Sequence, residues 1–261
     1  MCRLLGYLGP SIQLDHLLYK PEHSLVTQSY QPQEMTSGLL NADGFGIGWY
    51  HPARKEFPFR YRNTLPIWND VNLLNLSRYV ESECVIASVR SATPGLAVDM
   101  SNCPPFQQNL ILAVHNGFIE NFRHTLYRPI RDRLPDDVYQ AIQGTTDSEH
   151  LFALVLSELQ QSSTTLDQAL KRALIAVFEL ADAHQVNVAA NLLISDGDRL
   201  IACRASNRLP IPSLYWLRDD PLFPKAVVIA SEPLFTGDWA VVPERSILTV
   251  EKDLEFCVQP F

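Results

Sequence analysis

The period of apolar and polar positions changes several times along the chain, and these changes mark out its elements. Apolar runs of strand length fall at residues 3–8, 45–50, 84–90 and 110–115, each bounded by Gly, Pro or Asn. A helix is expected over residues 70–80, between the second and third runs. In the middle the period becomes helical. Leu151, Leu154, Val155 and Leu159 form one stripe, and Leu166, Leu170, Leu174, Val177 and Ala181 form another. Each stripe follows a capping-box pair, Thr146 with Glu149 and Thr165 with Gln168, so two helices lying side by side on a sheet are predicted. Strand character then returns at 188–195 and 198–204, flanking Asp196-Gly197, a dipeptide suited to the positive φ angles of a type I′ hairpin turn. Further strands are expected at 213–217, 226–230, 246–250 and 255–258. Strands, then helices, then strands again imply an α+β domain of mainly antiparallel sheets covered by helices.

The 261 residues show no repeat, low-complexity tract or long linker, which favours a single domain over 1–261 with surface loops at the proline-rich stretches 94–105 and 210–224. A formal charge of -8 provides no basic face for a phosphate backbone, so nucleic acid is not an expected partner. The apolar runs are far shorter than the roughly 18 residues of a spanning helix, so no membrane partner is expected. Residues 4–8 are broken by Gly6 and followed by Pro10 and Asp15, which leaves no secretory core and points to the cytoplasm. Five cysteines, odd in number and never in a CxxC pair, argue against a disulfide framework and against zinc. Four of them (Cys84, Cys103, Cys203 and Cys257) are expected to be ordinary buried thiols, and neither a metal nor another cofactor is expected. A homo-oligomer remains open.

The chemistry begins at Cys2. Its small side chain permits removal of Met1, which leaves a thiol and a free α-amine on one residue. Their ordinary pKa values, about 8.5 and about 7.7–8.0, allow proton transfer between them near neutrality. At residues 114–121 an apolar strand is expected to end in a polar turn, where the Gly117 N–H and the Asn116 amide offer two donors for an oxyanion. An ordinary Asn-Gly turn would look the same. Arg90 ends another strand, placed to hold a carboxylate bidentately or simply to be solvated. Asp147 opens the first capped helix, where the helix dipole favours a carboxylate. Gly44, Gly46 and Gly48 stand at alternate positions, clearing one face for a ligand or for another backbone.

Taken together, Met1-Cys2, Asp43-Gly44-Phe45-Gly46, Arg90 with Thr93, His115-Asn116-Gly117 and Thr146-Asp147-Ser148-Glu149 resemble, in order and type, the class II glutamine amidotransferases. The resemblance covers about the first 160 residues. It implies the N-terminal-nucleophile hydrolase fold, a four-layer αββα sandwich. It further implies that Cys2 attacks, that Asn116 and Gly117 stabilise the oxyanion, that Arg90 and Thr93 hold the α-carboxylate of a γ-glutamyl group and that Asp147 holds its α-ammonium. Asp43 and Gly44 would contribute to the same substrate site.

The chain departs from the family pattern at Ser91 and Pro94, where many members have Trp and His, and at Asn41-Ala42, where Arg-Gly is usual. A small Ser91 leaves room for a leaving group larger than ammonia. Residues 1–9, 41–50 and 230–234, with Trp239 and Val242-Pro243, are similar to a stand-alone branch that hydrolyses γ-glutamyl-hercynylcysteine sulfoxide. With no synthase module before Phe261, hydrolysis is expected, and a small γ-glutamyl compound is the expected partner. The alternatives are a glutaminase subunit feeding a separate synthase and a non-catalytic binding protein. If the leaving group carries a trimethylated histidine, Trp49, Tyr50, Trp68, Tyr215 and Trp216 are the aromatic candidates to receive it.

Overall fold

Two antiparallel sheets carry the site, and the alternation of side chains along their strands decides which residues meet between them. The computed structural model describes residues 1–261 apart from 36, 37, 52–56, 94 and 96, so Pro94 lies outside the described residues. The strands are β1 (Arg3–Gln13), β2 (Phe45–Tyr50), β3 (Phe59–Asn63), β4 (Glu81–Val89), β5 (Phe106–Gln108), β6 (Ile111–Ile119), β7 (Val188–Ser195), β8 (Leu200–Ser206), β9 (Tyr215–Asp220), β10 (Phe223–Ala230), β11 (Ala240–Val241), β12 (Ser246–Val250) and β13 (Phe256–Pro260). One sheet has the order β11-β9-β10-β1-β4-β2-β3 and the other β13-β12-β8-β7-β6-β5.

Helices α1 (Asp15–Leu18), α2 (Leu25–Tyr30) and α3 (Leu73–Tyr79) cover the outer face of the first sheet. Helices α4 (Tyr127–Arg131), α5 (Asp136–Ala141), α6 (Asp147–Leu159) and α7 (Leu166–His184) lie on the side of the second, where α6 and α7 pack side by side over β6, β7 and β8. Leu4, Leu8, Ile86, Leu112, Val114 and Leu193 fill the space between the sheets. This is the expected α+β, four-layer αββα sandwich of the N-terminal-nucleophile hydrolases. No helix of the described residues is long and apolar enough to cross a membrane.

Several local expectations need correction. Strand β1 runs on through Gly9-Pro10 to Gln13, with a register shift between Leu8 and Ile12 that absorbs the proline. Helix α3 starts at Leu73 rather than at residue 70, because the Asp70 carboxylate accepts the Asn72 and Leu73 N–H groups and so acts as the cap. The β7–β8 connection is not a two-residue type I′ turn. Ser195 pairs with Leu200, so four residues intervene, and only Gly197 has a positive φ (97°). Ser195 Oγ holds that loop by accepting from Gly197 N and donating to Arg199 O. Cys84, Cys103 and Cys203 are buried, but Cys257 is exposed, because β13 is an edge strand with little covering it. Burial pushes the Cys84 and Cys203 thiols up to about 12. The clear face at Gly46 serves another backbone: a Cβ there would collide with the Pro104 carbonyl oxygen.

Candidate active site

Alternation along β1 sends Leu4 and Leu8 into the space between the sheets, and Leu5 and Tyr7 toward the outer helices. Carried back to the strand's start, it puts Cys2 on the inter-sheet side and Arg3 on the helix side. Cys2 Sγ lies 3.9 Å from Ser91 O. Behind it, Arg3 is fully buried and pairs with Glu232, with Nε 3.1 Å from Oε1. Burial alone would raise the Glu232 pKa, but bonds from His23 and the Gln33 and Glu34 N–H groups, together with the Arg3 charge, hold it below the ordinary carboxylate value. The strand that carries Cys2 is thus anchored from the side opposite the thiol.

His115-Asn116-Gly117 does not form a turn. These residues lie inside β6, where Asn116 pairs with Asn191 and Gly117 with Ala190 of β7. The donor at Gly117 survives this correction for a different reason. Strand β5 covers only Ile111, Leu112 and Ala113 of β6, so the other edge of β6 is open beyond that point. Ile119 N donates across this edge to Asp147 Oδ2 at 2.8 Å. Because N–H directions alternate along a strand, the Gly117 N–H two residues earlier points to the same edge. A Cβ at Gly117 would collide with the Ala189 carbonyl and the His115 ring.

Asn116 follows Leu112 and Val114 onto the inter-sheet side. Its Nδ2 donates to Ser231 Oγ at 3.3 Å, and its buried Oδ1 has no hydrogen-bond partner among the described residues. Ser231 Oγ also accepts Leu4 N at 3.0 Å, while Ser231 N donates to Leu4 O. One hydroxyl therefore joins the beginning of β1, next to Cys2, to Asn116 of the facing sheet. Ser231 was not singled out as a site residue, although it falls in the 230–234 segment that matched the stand-alone branch.

Asp147 is held by two backbone donors, Ile119 N and Ser148 N, both at 2.8 Å, with Ser148 Oγ 3.3 Å from Oδ1. The Thr146 hydroxyl caps α6 by accepting Glu149 N, but the reciprocal bond of a capping box is replaced, since the Glu149 carboxylate accepts Gln143 N and Gly144 N instead. Burial keeps His115 below its ordinary pKa, hence neutral. Its Nε2 then donates to Ala189 O, which leaves Nδ1 to accept the Ser148 hydroxyl at 2.9 Å.

Arg90 is buried and donates to two carbonyls, Asp43 O at 3.3 Å and Ala97 O at 3.4 Å. Both bonds are long for a guanidinium, which reaches carboxylates at about 2.7–2.9 Å. Among the described residues no carboxylate lies within ion-pairing distance of it. Asp43 and Gly44 stand behind this arginine and do not line the cleft: Asp43 Oδ2 accepts Ala92 N at 2.8 Å, and Gly44 O accepts Arg90 N.

A cleft of about 580 Å³ runs between Ser91, Thr93, Gly117, Phe118, Arg208 and Pro210. It meets a second of about 340 Å³, which Thr93, Ile119 and Asn121 share and Asp147 closes. Met1 lines the larger cleft and Cys2 does not. Thr93 thus lines both of two adjoining clefts, one bordered by Gly117 and the other by Asp147, with Asn116 and Arg90 buried. The five aromatic candidates do not join them. Trp49 packs on Phe59, Trp68 on Tyr30 and Trp216 on Phe256, Tyr50 bonds Leu110 O and Ser195 O, and Tyr215 bonds Glu34.

Comparison with known proteins gives this geometry a family. The pattern of the glutamine amidotransferases class-II family matches residues 24–233. The chain belongs to the class II glutamine amidotransferases. Among curated relatives, the gamma-glutamyl-hercynylcysteine sulfoxide hydrolase of Mycobacterium tuberculosis is 33% identical over 96% of this chain and 93% of its own length. The probable glutamine amidotransferase DUG3 of Saccharomyces cerevisiae is 30% identical over 97% of this chain and 82% of its own. Among solved structures, a glutamine aminotransferase class-II domain protein from Silicibacter pomeroyi superposes with a TM-score of 0.73 at 26% identity, covering 100% of this chain and 99% of that one. As a class II glutamine amidotransferase, the protein is an enzyme of the amidohydrolase type. The family match includes Asp43, Arg90, Thr93, Asn116, Gly117 and Asp147 and begins beyond Cys2, whose position rests on β1.

Proposed function

We propose that this single-domain, cytoplasmic enzyme hydrolyses γ-glutamyl amides through a thioester on Cys2, once Met1 has been removed. The observation that carries the reading is the Ser231 hydroxyl bonded to both Leu4 N and Asn116 Nδ2, which sets the start of β1 against the oxyanion donors. In the first half-reaction the Cys2 α-amine takes the thiol proton and Sγ bonds to the substrate's γ-carbonyl carbon. Asn116 Nδ2 and Gly117 N–H receive the negative charge on the carbonyl oxygen. Collapse breaks the C–N bond, and the leaving amine takes the proton from the α-ammonium. In the second, the α-amine deprotonates water, which attacks the thioester, and glutamate and the thiol are restored. Arg90 and Thr93 hold the substrate α-carboxylate and Asp147 its α-ammonium. Met1 lines the cleft and makes the Cys2 nitrogen an amide, so its removal supplies the base and widens the space.

The names of relatives about one-third identical support γ-glutamyl-hercynylcysteine S-oxide as the substrate, and Ser91 at the cleft wall supports a leaving group larger than ammonia. The test compares kcat/KM of the processed enzyme for that sulfoxide and for glutamine. A large preference for the sulfoxide is expected. Equal or better use of glutamine would favour a glutaminase supplying ammonia to a separate synthase.

A further inference from the structure

Among the described residues, the larger cleft has one arginine on its wall, and the γ-glutamyl moiety leaves it unused. Arg90 and Asp147 match the carboxylate and ammonium of a glutamyl zwitterion. Arg208 stands elsewhere along the wall that holds Met1 and Gly117. Its guanidinium lies 6.0 Å from the centre of the Phe118 ring, and among the described residues no carboxylate is within ion-pairing distance of it. Glu120, which lines the same cleft, is already engaged by the Asn187 backbone and side-chain amides. Arg123 lies in the adjoining cleft on the Asp147 side. In a chain of net charge -8, a cation without an ion-pair partner on the wall of this cleft offers an anion site.

The backbone that presents Arg208 is fixed to the strand next to the oxyanion donors. Asn207 N and Nδ2 donate to Val188 O and Val186 O, and Asn207 Oδ1 accepts Val188 N at 2.7 Å. Ser206 Oγ accepts Arg208 N and lies 2.9 Å from both Val188 O and Arg208 O. Val188 pairs with Ile119 and Ala190 with Gly117, so this loop is registered to the Gly117–Ile119 end of β6. Only the exposed guanidinium stem is left free to adapt to a ligand.

We propose that Arg208 is a specificity residue that binds a carboxylate on the leaving group, making γ-glutamyl-amino acids, rather than simple γ-glutamyl amides, the substrate class. The proposal rests on the γ-glutamyl reading above. A leaving group that is an amino acid carries its carboxylate one carbon from the scissile nitrogen, and a guanidinium beside Gly117 meets that carboxylate with charge-assisted bonds.

The test uses a matched pair. γ-Glutamylalanine and γ-glutamylethylamide differ only in the carboxylate of the leaving amine. The processed full-length enzyme is expected to favour γ-glutamylalanine. Arg208→Ala should lower its kcat/KM by about tenfold to a hundredfold, mainly through KM, and leave γ-glutamylethylamide within about twofold. Arg208→Lys should recover part of the loss. Equal losses on both substrates, or no loss on γ-glutamylalanine, would overturn the role of Arg208 and leave the γ-glutamyl reading standing. If the wild-type enzyme cleaves γ-glutamyl-hercynylcysteine S-oxide but neither compound of the pair, this proposal falls and the γ-glutamyl reading stands; if it cleaves neither these compounds nor glutamine, both fall.

Discussion

The two ends of the cleft are built in opposite ways. At the Asp147 end the polar groups are buried and already bonded to one another: the carboxylate to Ile119 N and Ser148 N, the Ser148 hydroxyl to His115, and His115 to Ala189 O. At the Arg208 end the backbone is pinned by Asn207 and Ser206, while the side chain itself is exposed. A desolvated, fully bonded group recognises one fixed shape and charges heavily for any change. An exposed cation on a fixed loop gains less from its ligand and tolerates variation. The arrangement suits a substrate with a constant glutamyl part and a variable leaving part.

The sharpest way to break this comparison is Asp147→Ala. It should cost about 2–5 kcal/mol of transition-state binding, by the same factor on γ-glutamylalanine and on γ-glutamylethylamide. An effect concentrated on one of the two, measured as specificity constants, would place Asp147 at the leaving-group end. Asn116→Ala comes next. Charge reaches its amide only in the transition state, so kcat should fall by about a hundredfold to a thousandfold with little change in KM. Pre-steady-state kinetics would separate this from slow product release.

A third prediction concerns pH. Burial, with the Arg131 charge nearby, pushes His150 down to about 4, and burial also lowers His115. The unfolded chain binds a proton at each histidine near pH 6.5 that the folded chain refuses until a lower pH. Their contribution to stability is therefore complete above about pH 6.5 and is lost as pH falls through that window, by about 3 kcal/mol for His150. Denaturant unfolding between pH 7 and pH 4 checks the sign. Hydrogen exchange should show the loss first around the start of α6, at the rigid end of the cleft. The smallest effect is Thr146→Ala, which removes the α6 cap and should cost about 1 kcal/mol of stability. Because Ile119 N also holds Asp147, kcat/KM should fall only slightly. A loss comparable with that of Asp147→Ala would show that the cap alone positions the carboxylate.

The helices and most strands were legible because their apolar periods are local, as in the stripes of α6 and α7 and the alternation in β1. The short edge strands β3, β5 and β11 were not expected, since their pairing depends on neighbours distant in sequence. His115-Asn116-Gly117 was read as a turn because Asn-Gly is a strong turn signal. Pairing with the buried strand β7 outweighed that local preference, and Gly117 is required by the crowding of Ala189 and His115 instead. Asp147, Thr93, Asn116 and Gly117 are candidates from motif order alone. Ser231 and Arg208 are not, because Ser231 reaches Asn116 across 115 residues of sequence and Arg208 reaches the cleft from the loop after β8. The aromatic candidates failed for a related reason: composition identifies rings but not the partners that use them.

The central claim is that Cys2, freed of Met1, carries the glutamyl group. Mixing active enzyme with γ-glutamyl-hercynylcysteine S-oxide, quenching in acid within one turnover and mapping the N-terminal peptide by mass spectrometry tests it directly. The account predicts a peptide that begins at Cys2 and bears one glutamyl group on sulfur, absent from Cys2→Ala. Full turnover by a chain that still begins at Met1, or a glutamyl group found on another residue, would contradict it.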